Sequence, residues 1–350
     1  MAERIKLFGA ALDALDTPQR IALKRAWMQA QAAHRIGPDE PRDPYDAIAR
    51  PLLDEFPDTF QTSGKMEIPS WFVPRPSPDE LGEIEINQYR FFIKSHFEFT
   101  MAQQCLFFVQ KHILPSVSGM FSVDHALTAG AYLAHADFRG KQNVTLLTLD
   151  SHFDAISTKL RIPKGMNALP FPSRDTLNCG NFIGHMINTL GALPENVIVI
   201  GPSDYPPVKK PKEDASVRKF RDAYLSLIEQ GVTVIPKSAV RRSSFAQEFE
   251  NLLLGINTPY IYVSLDADVG SCACMNAVRF MDTVGLDEGA IIGIARAIRR
   301  RIEAGQFALA GFDVAEVDVH LLGLTGPDGA PDRTAEVCAN FVKTLLGCEA

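Results

Sequence analysis

The sequence predicts an α/β fold in three layers, a mostly parallel β-sheet with helices on both faces. Three observations lead there. From Gly119 onward, short apolar runs alternate with helix-length amphipathic ones. The apolar runs, such as Val144–Leu149 and Tyr260–Leu265, are continuous rather than alternating, as strands covered on both faces require. The chain has 350 residues, 46% of them hydrophobic and 22% charged, enough to bury a large core.

Taken in order, residues 10–34 carry apolar positions at three- and four-residue spacing, with Thr17 and Pro18 as cap and first turn, and read as helix. Residues 37–78 hold nine of the 23 prolines, which excludes regular helix or a central strand and predicts an extended arm. Its Leu52, Leu53, Phe56, Phe60, Trp71 and Phe72 imply packing on the core or on a neighbouring subunit. Residues 79–113 read as a helix or helix pair whose aromatic stripe is core packing. Strands follow at 119–123, 144–149, 197–201, 232–235, 260–265 and 307–312, and helices at 125–139, 214–230, 243–255, 286–304 and 333–347. The chain therefore divides into an N-terminal extension of helices and Pro-rich arm, 1–115, suited to subunit contacts, and a βαβ domain, 116–350.

Lys plus Arg number 35 against 42 Asp plus Glu, a net charge of −7, and no basic stretch runs long enough to track phosphates, so nucleic acid is excluded as a partner. An acidic surplus suits metal ions or a cationic substrate. The six cysteines form no CxxC pair, which predicts reduced thiols and a cytoplasmic protein. No signal-peptide core and no 18-residue apolar run is present, so no membrane association is expected.

In parallel sheets ligands bind at the carboxyl ends of strands. Three such ends carry chemistry: Asp124-His125, Asp150-Ser151-His152-Phe153-Asp154, and Asp266-Ala267-Asp268. In extended chain, positions i, i+2 and i+4 point the same way, so Asp150, His152 and Asp154 converge, as do Asp266 and Asp268. So many carboxylates at close range repel unless cations intervene. Histidine mixed with carboxylate suits manganese, nickel, iron or zinc rather than magnesium or calcium, and six ligands suit two ions. Asp124 taken alone reads as a helix cap.

These residues resemble the ureohydrolases, the family of arginase, agmatinase, formiminoglutamase and guanidinase. SVDHALTAGAYLAHA (122–136) looks like the family's GGDHS segment, LDSHFDA (149–155) like DAHxD, VSLDADV (263–269) like SxDxD, and GFDVAEVDVH (311–320) like its E-V-N-P-type turn. The resemblance covers residues 115–348. It implies an arginase-like fold and two divalent ions per chain, Mn2+ or Ni2+. One would be held by His125, Asp150, Asp154 and Asp266, the other by Asp150, His152, Asp266 and Asp268. A bridging hydroxide would attack the carbon of a small cationic guanidino or amidino substrate, Asp154 would take its remaining proton, and Glu316 would grip the substrate's NH2 groups. The resemblance also implies a trimer or hexamer, homomeric or with a homologous partner subunit.

Departures from the family pattern shape the expectation. Ile183 stands where many members carry a proton-shuttling histidine, and His185, two residues on, becomes the replacement. Cys272 and Cys274 stand in place of the usual turn after DxD and read as small hydrophobes. The loop 154–180 lacks an amino-acid-holding pattern and carries Lys159, Arg161 and Lys164, which disfavours arginine and favours agmatine, guanidine or an alkylated guanidine or biguanide. A non-catalytic subunit is the competing reading; six intact ligands argue against it. A zinc deacetylase would need a tandem His pair, which the sequence lacks.

Overall fold

A computed structural model of the chain describes residues 4–13, 18–37, 39–77, 97–157, 177–203, 214–282, 284–326 and 329–348. These residues form one eight-stranded, all-parallel sheet: β1 (Ile5–Ala10), β2 (Phe60–Lys65), β3 (Ser118–Ser122), β4 (Val144–Leu149), β5 (Val197–Ile200), β6 (Thr233–Ile235), β7 (Tyr260–Asp266) and β8 (Ala308–Ala315). The spatial order is β2-β1-β3-β8-β7-β4-β5-β6. Chain order breaks between β3 and β4: β7 and β8 return to fill the gap, so four strands from distant parts of the sequence end side by side in the middle.

The continuous apolar runs are explained by two cores. Leu146, Val197 and Val199 point into one; Leu147, Leu149, Ile198 and Ile200 point into the other. The first core is closed by α1 (Pro18–Ala32), α3 (Phe97–His112), α4 (Leu127–Arg139), α5 (Phe182–Leu190) and α6 (Ala215–Glu229). The second is closed by α2 (Arg50–Glu55), α8 (Phe245–Leu254), α9 (Glu288–Glu303) and α10 (Thr334–Leu346); a single turn, α7 (Lys237–Val240), precedes α8. Gly130 lets α3 lie directly on α4, since a Cβ there would meet the Ala102 carbonyl oxygen at 2.1 Å.

The six strands read from sequence are present, and β8 runs three residues further than expected, to Ala315. Two strands were not anticipated. β1 is a short run at the start of what read as loop and helix, and β2, Phe60-Gln-Thr-Ser-Gly-Lys, is too polar to announce itself. It is an edge strand, where one side of the ladder faces water and apolar alternation is not required. The sheet therefore begins within the N-terminal extension and does not respect a boundary at 115/116. Part of the expected helix at 79–113, residues 79–96, lies outside the described residues.

The remainder of the arm packs on its own chain. Trp27, Met28 and Trp71 make a small satellite core, with the Arg75 guanidinium 4.2 Å from the Trp27 ring. Arg75 donates to the Val319 carbonyl at 2.7 Å, and His320 Nε2 lies 2.9 Å from the Pro74 carbonyl, which fastens the arm to the segment following β8. Beneath it, Lys24 is fully buried, 3.1 Å from Asp13 and donating to the Trp71 carbonyl at 2.8 Å. Burial alone would raise Asp13; Lys24, Arg20 and Arg279 overcome it and hold the carboxyl at about 2. Burial in turn brings Lys24 down to about 8, so the aspartate is the more firmly charged partner. Lys24→Met strips a buried carboxylate of its nearest cation and is expected to lower the unfolding free energy by about 3 kcal/mol, read from urea melts.

Candidate metal centre

The four central strands end on one device. Asp150 Oδ1 accepts from the amide of His152 at 2.6 Å, Asp266 Oδ1 from that of Asp268 at 2.9 Å, and Asp124 Oδ1 from that of Ala126 at 2.9 Å. After β8, Asp318 Oδ1 does the same for His320 at 3.0 Å. Each aspartate spends one oxygen on the backbone two residues ahead, which turns the chain out of the sheet. The other oxygen is left to point across the edge. Asp124 is not the helix cap it reads as in sequence: the N-cap of α4 is Ala126, and Asp124 Oδ1 takes that residue's amide.

For Asp150 and Asp266, what that second oxygen meets is His125. Its Nδ1 lies 2.8 Å from Asp266 Oδ2, 3.4 Å from Asp150 Oδ2 and 3.6 Å from Asp154 Oδ2. The neighbouring His152 Nδ1 lies 2.7 Å from Asp268 Oδ2 and 3.7 Å from Asp150 Oδ1. Two sets of ligand atoms result, each within 4.8 Å: His125, Asp150, Asp154 and Asp266, and Asp150, His152 and Asp268. All six residues singled out as ligands thus come together. Asp150 belongs to both sets, whereas Asp266, expected to bridge, joins the first alone.

The hydrogen bonding fits a metal. Ser264 Oγ donates to Asp313 Oδ1 at 2.7 Å, so at 2.9 Å from His125 Nε2 it acts as acceptor of that ring's N–H. This leaves Nδ1 as the lone-pair nitrogen, aimed at the carboxylates. His125 Nδ1 and Asp150 Oδ2 are both buried and without a hydrogen-bond partner. In the metal-free chain, burial and neighbouring carboxylates raise Asp150 and Asp266 well above the carboxylate range. Burial disfavours charge on His125, but Asp266, Asp150 and Asp154 raise it well above its ordinary value, and the carboxylates around His152, chiefly Asp268, bring it to about 11. Protons here do the work that divalent cations would do.

Behind the ligands, Ser151 donates its amide to Asp268 Oδ1 at 3.0 Å and receives Lys237 Nζ at 3.2 Å, with Lys237 anchored on Asp282 at 2.5 Å. Gly184 allows α5 to press against the segment after β4, since a Cβ would meet the Ala155 carbonyl oxygen at 2.0 Å. Phe182 then packs on the His125 ring with centroids 4.5 Å apart. Asp154 and Glu316 adopt left-handed backbone, φ 47° and 60°, at a cost of about 1–3 kcal/mol each that the surrounding structure sustains.

Glu316 is at this edge, 2% exposed. Its Oε1 accepts from the His125 amide at 3.2 Å, and Oε2 is buried without a hydrogen-bond partner. Burial brings the carboxyl to about 8, against the pull of Arg279. Arg279 escaped the sequence reading. It donates from Nη1 to Asp124 Oδ2 at 2.9 Å, and its backbone amide donates to the Glu316 carbonyl at 2.9 Å. Nothing at position 279 announces this, because the contact spans 155 residues. Cys179, unassigned in sequence, lies with Asp124 and Glu316 in a third group within 4.8 Å.

His185 is not brought to the cluster. It lines a cavity of about 320 Å³ between α5 and α6 with Asn181, Asn188, Ser226 and Gln230, none of the six ligands among its walls, and its ring meets Phe99. Helix α5 starts at Phe182, so position 185 turns toward the helical layer. Ile183 is fully buried in the first core. Cys274 meets the Leu286 carbonyl and Cys272 the Met281 sulfur, and neither joins a ligand group. Lys159, Arg161 and Lys164 lie outside the described residues.

Groups whose folded value is raised stabilise the fold at low pH and lose that contribution as pH climbs through the raised value. For Glu316 the window runs from its ordinary 4.5 to about 8, and for His152 from 6.5 to about 11. The metal-free protein is therefore expected to melt at progressively lower temperature from pH 6.5 to 8. Saturating Mn2+ or Ni2+ should flatten or reverse that slope in a thermal-shift series, because metal affinity rises as the ligands deprotonate.

The arginase family profile matches residues 111–347. No curated protein sequence matches the chain. Solved structures share its fold. An arginase from Bacillus caldovelox is 16% identical with TM-score 0.59, covering 99% of this chain and 98% of that one. A hypothetical agmatinase from Burkholderia thailandensis is 17% identical with TM-score 0.52, covering 99% and 85%. A formiminoglutamase from Trypanosoma cruzi, determined with Mn2+, is 12% identical with TM-score 0.52, covering 99% and 92%. With the profile spanning two thirds of the sequence, the chain belongs to the arginase family.

Proposed function

We propose that the protein is a binuclear metal-dependent amidinohydrolase. It would cleave a C–N bond of a small guanidino or amidino compound, agmatine, guanidine or an alkylated guanidine or biguanide, releasing urea or a related product and an amine. The observation that carries this reading is the convergence of three carboxylate oxygens on His125 Nδ1, beside a second set that shares Asp150.

His125, Asp150, Asp154 and Asp266 would hold one divalent ion, Mn2+ or Ni2+, and Asp150, His152 and Asp268 the other. When bound, such ions supply Lewis acidity that makes water a nucleophile at neutral pH and offset charge developing on oxygen. The chain's own groups do the rest. Glu316, with Oε2 unpartnered, accepts hydrogen bonds from the planar cation and fixes its carbon over the cluster. Asp154, held out of the β-conformation at φ 47°, aims its carboxylate at the same point as His125 and accepts a proton there. In the net reaction, water's oxygen forms the new C–O bond, the C–N bond breaks, and the leaving nitrogen departs as an ammonium carrying water's protons.

Two substitutions test the assignment. Asp268→Ala is expected to lose one of two bound ions, counted by elemental analysis, together with nearly all urea release. Glu316→Gln is expected to keep both ions and lose roughly a hundredfold in kcat/KM, the worth of about 3 kcal/mol of charge-assisted hydrogen bonding. Protein from metal-supplemented cells that holds well under one ion per chain would refute the reading.

A further inference from the structure

Among the described residues beyond the two ligand sets, the charged groups near Glu316 form pairs. Asp124 and Arg279 pair at 2.9 Å with side chains 2% and 4% exposed. Asp13 faces Lys24 at 3.1 Å and Arg20 at 3.5 Å, and Arg20 also holds Asp318 at 2.5 Å. Arg279 is close enough to act electrostatically on both Asp13 and Glu316. Glu316 gives one oxygen to the His125 amide and keeps the other, buried and unpartnered. Among the described residues around it, this Glu316 oxygen is available to meet one positive charge.

A second charge on the substrate would find the wrong neighbours. An ammonium tail would approach Arg279, whose countercharge is already taken, and a carboxylate tail would approach Asp124 and Glu316. Buried charges are screened far less than exposed ones, so either approach is costly. The loop that carries Arg279 exposes apolar side chains. The Arg279 guanidinium lies 5.2 Å from the Phe280 ring, and Phe280, Met281 and Val284 are 40%, 48% and 50% exposed. Apolar side chains beside a charge-gripping group favour a neutral substituent.

We propose, resting on the amidinohydrolase reading above, that the site selects guanidines with a single positive charge and a neutral, apolar or absent tail, and discriminates against dications such as agmatine and against guanidino acids. Arg279, paired with Asp124, is the specificity-determining residue. Among the substrates considered above, this favours guanidine and its alkylated and biguanide relatives over agmatine.

The test uses three compounds of equal reach: agmatine, pentylguanidine, in which a methyl replaces the ammonium, and δ-guanidinovalerate, in which a carboxylate does. Each is titrated calorimetrically into Mn2+-loaded protein and assayed for urea. Pentylguanidine is expected to bind at least about tenfold more tightly than either charged analogue, the factor that one uncompensated charge contact supports. Arg279→Met, which frees Asp124, should narrow the gap to agmatine, whereas Arg279→Lys should keep it. The wild-type comparison decides the matter if either variant fails to fold. Agmatine or δ-guanidinovalerate binding as tightly as pentylguanidine would overturn the selectivity while leaving the amidinohydrolase reading intact. Selective binding without urea release would uphold the selectivity and overturn that reading. If none of the three binds, both fall.

Discussion

The site depends on how an aspartate at the end of a parallel strand divides its two oxygens. One closes a turn on the amide two residues ahead, and the other is held at a fixed point beyond the sheet edge. Because β4 and β7 lie side by side in the middle of one sheet, the free oxygens of Asp150 and Asp266 both reach His125, while those of Asp124 after β3 and Asp318 after β8 go to Arg279 and Arg20. The backbone benefit is local and modest, but the electrostatic consequence is shared. Each strand end that is well turned adds negative charge to a buried place, and the cluster is tolerable only with cations inside it.

Different cations answer different parts of that demand. At the innermost point, imidazoles and carboxylates converge, an arrangement suited to exchangeable divalent ions. One layer out, Arg279 permanently neutralises Asp124. Further out, Lys24 and Arg20, both on α1, neutralise Asp13 and Asp318. The N-terminal region is thereby part of the site's electrostatics and not an appendage: α1 supplies charge to the residues following β1 and β8, and the arm seals them from water through Trp71 and Arg75.

The inner layer was legible in the sequence and the outer layers were not, for a definite reason. DxHxD and DxD are local patterns that the continuous apolar runs before them place at strand ends, although their residues reach the cluster through turns, with Asp268 in a helical turn and Asp154 at φ 47°, and not through extended chain. Arg279 with Asp124, and Ser264 with Asp313, depend on which strands are neighbours, which a single sequence does not state. β2 was invisible because an edge strand that pairs with β1 needs no apolar alternation. His185 was misplaced by a subtler rule. Counting residues from a family motif locates a position along the chain, but helix α5 begins at Phe182 and turns each successive side chain by about 100°, so two residues of offset carry a side chain to the opposite face.

That rotation has a chemical consequence for the proposed reaction. The first turn of α5 presents Phe182 to His125 and buries Ile183 in the core, so this helix offers apolar surface where a proton relay would otherwise stand. The leaving nitrogen must still be protonated as the C–N bond breaks. Among the described residues at this edge, the groups that can carry a proton there are Asp154, which shares its position with His125, and Glu316, whose burial brings its carboxyl to about 8. Both sit on left-handed backbone, Glu316 directly after β8 and Asp154 in the loop that follows β4. On the proposed chemistry, then, gripping the cation and moving its proton fall to the same carboxylate-rich edge, and a helix that elsewhere in a site of this kind would share that task serves here as packing.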